Sequence, residues 1–259
     1  MPEARYPILT LWCQPRSMST AIERVMRERG DLTCFHEPFL AYLYGKPGIR
    51  RLPHAEPSAE PAPSFADVCD RLEEAARAGS VFLKDMAYYV VQDILEQPDI
   101  ARRLRHAILI RDPRRSILSY HRLDSEVTVE GIGVAAAWEL AQGIERITAQ
   151  RPFVIEAEVV RRDPEGEIGR LWAAWDLPDR PAAFDWRPDA PPDDWRHVAG
   201  WHQSVINSAG IRPPEETTDP DADFAKAAAA EPRLAALLAA HESAYRCLRD
   251  WAMRKETAR

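Results

Sequence analysis

Short apolar runs and amphipathic stretches alternate through the first two-thirds of the chain. "YPILTLWC" reads as a buried strand, and "STAIERVMRERG" continues with helical spacing of its apolar positions until Gly30. "LTCFHEPF" predicts a second short strand closed by Pro38. "SFADVCDRLEEAARAG" predicts a helix with Ser64 as N-cap and Gly79 as C-cap. "VFLKDM" predicts a third strand, and residues 87–105 read as mostly helical. "HAILI" is a fourth strand running straight into Arg111, and a helix opens at Pro113, where proline is tolerated in the first turn. A helix over about 132–149 then leads to a strand, "PFVIEAEVV", and a helix near 164–176.

This repeated strand–helix order predicts an α/β fold with a central, mostly parallel sheet flanked by helices. Residues 45–63 and 177–194 each hold five prolines and no periodicity, so both read as irregular. From about Asp223 to Lys255 the chain is alanine-rich and helical. The proline-rich stretches read as excursions from one domain spanning residues 1–259. Its core lies at about 6–176, followed by a proline-rich loop and a helical C-terminal part over 177–259.

Composition narrows the classes. A formal net charge of −7 argues against capture of nucleic acid or an anionic membrane, so any anion must be held by a local cluster of cations. Cys13, Cys34, Cys69 and Cys247 form no CxxC pair, which argues against a zinc site or disulfide framework. The apolar run at 7–13 is too short for a signal peptide, and no stretch approaches the roughly 20 apolar residues of a membrane span. The expectation is a soluble, cytoplasmic protein with no metal. Nothing in the pattern sets an oligomeric state.

In an open parallel sheet, ligands gather at the carboxyl ends of the strands. The turn after the first strand reads "QPRSMSTA". A helix N-terminus offers unpaired N–H groups and partial positive charge, a cradle suited to phosphate or sulfate. Arg16 adds a fork of donors, and Ser17, Ser19 and Thr20 add short hydroxyls, with the Met18 backbone between them. The simpler reading is that Ser19 only caps the helix and Arg16 is solvated. No GxxxxGK[ST] occurs, so an ordinary ATP loop is absent.

"HAILIRDPRRSILSYHRL" repeats that logic after the fourth strand. It brings Arg111 to a strand end, with Ser116 and Ser119 one helical turn apart behind it. Six arginines lie between Arg102 and Arg115, many for an acidic chain, although a solvated basic face is the simpler account of the outlying ones. Two anion sites on neighbouring strand ends suggest a ligand with two separated anionic groups.

Together these motifs resemble those of the P-loop sulfotransferases, which use 3′-phosphoadenosine 5′-phosphosulfate (PAPS) and release adenosine 3′,5′-bisphosphate (PAP). "PRSMST" resembles the family's loop for the 5′-phosphosulfate, with Arg16, Ser17, Met18, Ser19 and Thr20 at its positions. "RDPRRSILS" resembles the family's motif for the 3′-phosphate, with Arg111 and Ser119 at the two binding positions. Met18 departs from the glycine that many members carry. The likeness is good over roughly 7–125 and general beyond it.

Sulfuryl transfer needs a base for the acceptor's proton and positive charge around the moving group, as phosphoryl transfer does. "CFHEPF" places His36 and Glu37 at the end of the second strand. Related sulfotransferases often carry a glutamate in an EPF-like segment, so Glu37 is favoured as base, with His36 second. Lys84, ending the third strand, would reach the sulfate or the leaving phosphate; Asp85 would orient it or act as an alternative base. "DDWRHVAGWHQSVINSAG" clusters Trp195, Arg196, His197, Trp201 and His202. Packing onto the core is the default for such a segment, an acceptor pocket or a lid with Arg196 over the nucleotide is the alternative, and the HxxxxH spacing is poor for a metal. Three functions stay open: a PAPS-dependent sulfotransferase acting on a small-molecule acceptor, an inactive PAP-binding or protein-interaction module, and a kinase-like enzyme.

Overall fold

Five strands hydrogen-bond into one sheet in the order β2-β3-β1-β4-β5, every neighbouring pair parallel. The computed structural model describes residues 6–53, 61–188, 190–211, 213 and 219–254. The strands are β1 (Ile8–Cys13), β2 (Thr33–His36), β3 (Val81–Met86), β4 (Leu104–Ile110) and β5 (Phe153–Glu156). All residues of β1 and β3 are buried, as expected of unbroken apolar runs covered on both faces. The register aligns the strand ends: Cys13 pairs with Met86 and Leu109, His36 with Lys84, and Ile110 with Glu156. After β1 the chain builds one side of the sheet, β2 and β3, then crosses to β4 and β5. The crevice over the end of β1 is therefore the topological switch point.

The helices of the first half are α1 (Ser19–Glu28), α2 (Leu40–Gly45), α3 (Phe65–Ala76), α4 (Ala87–Glu96), α5 (Pro98–Arg103) and α6 (Pro113–His121). The second half adds α7 (Val129–Ile132), α8 (Val134–Thr148), α9 (Ala157–Arg162), α10 (Pro164–Ala174), α11 (Gln203–Ile206), α12 (Pro220–Ala230) and α13 (Arg233–Met253). Two 3-10 segments, Pro181–Phe184 and Asp193–Trp201, interrupt the stretch between α10 and α11. Among the described residues no helix is long and apolar enough to cross a membrane.

Ser64 caps α3 as its sequence suggests. Its hydroxyl accepts from the Asp67 N–H, and the Asp67 carboxylate accepts from the Ser64 N–H, a complete capping box. Ser64→Ala is expected to lower stability by about 1 kcal/mol, measured by denaturant unfolding.

Several boundaries differ from the sequence reading. Helix α3 ends at Ala76 with Arg77 as its C-cap, two residues before Gly79. "PFVIEAEVV" is strand only to Glu156, because its partner β4 ends at Ile110 and leaves later residues no ladder; α9 starts at Ala157 instead. The stretch 87–105 is two helices broken at Gln97 before Pro98, and β4 starts two residues early, at Leu104. The alanine-rich tail is likewise two helices, because Pro232 cannot continue the α12 hydrogen-bond ladder. Within the proline-rich stretch 45–63, residues 54–60 lie outside the described residues, as does Lys255 at the end of the tail.

Candidate functional site

The chain leaves β1 at Cys13 and turns through residues 14–18 into α1. Arg16 and Met18 hold left-handed backbone angles, φ 61° and φ 63°. Each costs a residue with a Cβ roughly 1–2 kcal/mol, so the surroundings must fix the loop. They do so through hydrogen bonds. The Ser17 hydroxyl donates to Gln14 O at 2.6 Å, and Gln14 Nε2 donates to Ser116 Oγ at 2.8 Å and Arg111 O at 3.1 Å. Arg111 Nη1 donates to Arg16 O at 2.6 Å. Helix α1 starts at Ser19 with Met18 as N-cap and no side-chain cap bond. Ser19 is thus the first helical residue, not the cap, and the first-turn N–H groups keep no side-chain partner. Met18 occupies the very conformation that favours glycine.

A cleft of about 280 Å³ opens over this turn, with Arg16, Ser19, Thr20, Glu37, Arg111 and Ser119 in its wall. The two anion motifs therefore meet in one place. Arg16 Nε donates to Ser119 Oγ at 3.1 Å, bridging the first motif to the second, and Arg16 Nη1 donates to Trp201 O at 2.7 Å. Ser17 is fully buried with its hydroxyl spent inside the loop, so it shapes the cradle and does not line it.

Among the described residues no carboxylate lies within ion-pair range of Arg16, and the nearest to Arg111 is Glu158 at 3.9 Å. Burial, only partly offset by Glu158, pulls the Arg111 guanidinium down to about 10. Burial and then Arg122 likewise lower Arg16. These are cations short of counter-charge, the condition in which an anion is most strongly attracted. Arg161 of α9 joins Arg111 in the cleft wall. Reading "PFVIEAEVV" as strand to Val160 left no helix there to carry Arg161 to the cleft.

Glu37 sits just past β2 with φ 43°, anchored by its N–H to Lys84 O at 2.8 Å. Lys84 Nζ donates to Glu37 Oε1 at 2.6 Å, and the Tyr89 hydroxyl donates to Oε2 at 3.3 Å. Burial pushes this carboxyl up, but the charge and hydrogen bond of Lys84 outweigh it and hold Glu37 below the usual carboxylate range. Lys84 is fully buried, 3.7 Å from Glu23 as well, and reaches the cleft through Glu37. Asp85, read as an alternative base, accepts from the Phe39 and Met86 N–H groups, both at 2.8 Å. It holds backbone and stands outside the cleft wall.

His36 is also buried behind the wall, its Nδ1 2.6 Å from Glu23 Oε2. Burial, then the charge of Lys84, drives the ring down to about 3, so it is neutral near pH 7. Its Nε2 meets His202 Nε2 at 3.0 Å, and His202 Nδ1 lies 3.1 Å from Thr20 Oγ1. His36, Glu37 and His202 each bring one ligand-type atom within 4.8 Å of the others.

The Trp-rich segment therefore divides between packing and site. Trp195 is fully buried and its indole donates to Glu23 Oε1 at 2.7 Å, while Trp201 and His202 line the cleft. Arg196 is exposed and pairs with Asp193, away from the cleft wall; the His197 side chain lies outside the described residues. Glu23 escaped the sequence reading. The signal was its place on the buried stripe of α1, four residues after Ser19 and three before Met26.

A family model described as "Sulfotransferase domain" matches residues 8–240. Two Arabidopsis thaliana proteins, branched-chain-amino-acid aminotransferase-like proteins 2 and 1, are 23% and 24% identical over 81% of this chain. The chain spans 37% of the length of each. Among solved structures, a sulfotransferase from Alicyclobacillus acidocaldarius superposes with TM-score 0.51 at 13% identity, covering 94% of this chain and 98% of that one. The sulfotransferase domain of the Synechococcus PCC 7002 olefin synthase gives TM-score 0.50 at 15% identity, covering 88% and 95%. These two likenesses establish the fold.

Proposed function

The chain belongs to the sulfotransferase-domain family, and from that premise we propose that it moves a sulfuryl group from PAPS to a hydroxyl or amine of a small-molecule acceptor. The observation that carries this reading is the meeting of Arg16, Arg111 and Ser119 in one cleft beside the uncapped start of α1. PAPS carries a 3′-phosphate and a 5′-phosphosulfate, and the two motifs offer one cationic cradle for each. Arg111 and Ser119 would hold the 3′-phosphate. The first-turn N–H groups of α1, with Ser19, Thr20 and Arg16, would hold the phosphosulfate.

Glu37 is the base in this reading. It is ionised, in the wall, and fixed by Lys84 and Tyr89, so it accepts the acceptor's proton without reorganising. Lys84 is a positioning residue that acts through Glu37. Leu52, Tyr88, Tyr120 and Trp201 line the same cleft, an apolar, aromatic wall suited to a small acceptor with little charge of its own.

Calorimetry with PAP tests the reading directly. Measurable binding supports it, and none at millimolar ligand overturns it. Binding without transfer to any acceptor marks an inactive PAP-binding module, and displacement of PAP by ATP marks a kinase-like enzyme.

The pH profile carries a further expectation. Glu37 works when ionised, and its acidity lies below the usual range, so it stays active above that point and is lost only as pH falls through it. His36, at about 3, is neutral throughout the same interval. The kcat/KM profile is therefore expected to be flat from roughly pH 6 to 8, with an acid limb below the ordinary carboxylate value of about 4.3. A limb near pH 6.5 would show that the group acting as base is not Glu37.

A further inference from the structure

Three side chains with metal-binding atoms converge behind and beside the cleft from distant parts of the chain. His36 ends β2, Glu37 follows it, and His202 is returned to them by the Trp-rich segment. His36 Nε2 lies 3.0 Å from His202 Nε2 and 3.7 Å from Glu37 Oε1. Two imidazole nitrogens and a carboxylate oxygen form a ligand set that suits zinc and similar divalent ions.

The groups around these three are the second observation. Metal-bound histidines nearly always use the other ring nitrogen to donate to an acceptor that fixes the tautomer, and bound carboxylates are themselves hydrogen-bonded. His36 Nδ1 is 2.6 Å from Glu23 Oε2, and Glu23 is held as an acceptor by Trp195 Nε1 at 2.7 Å and Arg27 Nε at 2.9 Å. That places the hydrogen on His36 Nδ1 and leaves its Nε2 lone pair toward His202. His202 Nδ1 has Thr20 Oγ1 at 3.1 Å, an oxygen able to accept. Glu37 Oε1 accepts from Lys84 at 2.6 Å, which leaves it further lone pairs. Each candidate ligand has an outer partner of the right kind. His202 and Glu37 also line the cleft, so a fourth position opens toward ligand.

We propose that His36 Nε2, His202 Nε2 and Glu37 Oε1 form a binding site for one divalent transition-metal ion such as Zn(II), open on its fourth side to the cleft. A hydrogen bond between the two rings and a shared metal are alternatives at this spacing. On metal binding the His202 hydrogen moves to Nδ1 and points at Thr20. The ammonium of Lys84 raises the electrostatic cost of a second cation, and the carboxylates of Glu23 and Glu37 beside it offset that cost. A metal held there engages Glu37. Occupancy and proton acceptance by that residue therefore exclude each other, a consequence that rests on the function proposed above.

Titration of the full chain with Co(II) tests the site without reference to transfer. Four-coordinate Co(II) absorbs strongly in the visible, and the wild type is expected to develop that absorption at one equivalent. His202→Gln and Glu37→Gln are expected to abolish it. Glu23→Gln, which touches no metal, is expected to weaken binding about ten- to hundredfold. No such absorption in the wild type, or absorption that survives both ligand substitutions, overturns the proposal. Should a variant fail to fold, nitrogen NMR of the wild-type protein decides. Zn(II) must shift the Nε2 signals of both His36 and His202, and unmoved signals reject the site. PAP binding is measured separately, so loss of one result leaves the other standing.

Discussion

Arg111→Ala is expected to bind PAP about ten- to hundredfold more weakly than the parent chain, as calorimetry would read it. A hydrogen bond to a charged group contributes about 1.5–3 kcal/mol, and Arg111 offers the second anion motif its fork of donors. Removing it also takes the donor from Arg16 O, which helps to hold the first loop in its left-handed turn. Stability without ligand should fall only modestly: the bond to Arg16 O is lost, but the guanidinium is buried with its nearest carboxylate 3.9 Å away and gains little from its charge. A loss of binding much larger than the loss of stability is the signature. Arg111→Lys restores charge but not the planar fork and should recover only part of the affinity. Unaltered affinity in Arg111→Ala would remove the 3′-phosphate assignment.

Glu37→Gln is expected to lower turnover about 10²–10⁴-fold with PAP affinity within a few-fold of the parent. It should also lower stability. Lys84 is fully buried and would keep only Glu23, at 3.7 Å, as counter-charge. Breaking one side of a buried pair costs about 3–5 kcal/mol, and Glu23 offsets part of that. Adding Lys84→Met removes the stranded cation, so the double variant should melt above the single one while turnover stays low. This combination separates a stability defect from a chemical one. Normal turnover in Glu37→Gln would shift the base elsewhere.

Much of this was legible in local sequence, and the reason is the range of the signals. The turns after β1 and β4 declare themselves through an arginine and hydroxyls following an apolar run; the end of β2 offers His36 and Glu37 alike, and only the family resemblance favours Glu37. All act within a few residues of a strand end. The β5 boundary was not legible, because "VIEAEVV" is apolar well past Glu156 and only the end of β4 tells it to stop. The Ser19 cap failed for a related reason. Its hydroxyl suits a cap, but hydrogen bonds from the Arg111 region draw the loop tighter and place Met18 there instead. Trp195 and His202 stood out as a cluster, but what they touch was hidden by distance along the chain: 182 positions separate Thr20 from His202, and 172 separate Glu23 from Trp195. Glu23 also stands four residues before Arg27, the spacing of an ordinary exposed helix pair, which gives no sign of its burial.

The return of residues 195–202 to β2 and α1 sets a limit on modularity. The related Arabidopsis chains are longer, with the shared stretch only a part of each. A graft cut after α10 would carry the whole sheet, yet it would strip Glu23 of its indole donor and the cleft of Trp201 and His202. The smallest transplantable unit must therefore run past residue 202. It must also include α13, which packs on α8 and β5, so that the far edge of the sheet stays covered.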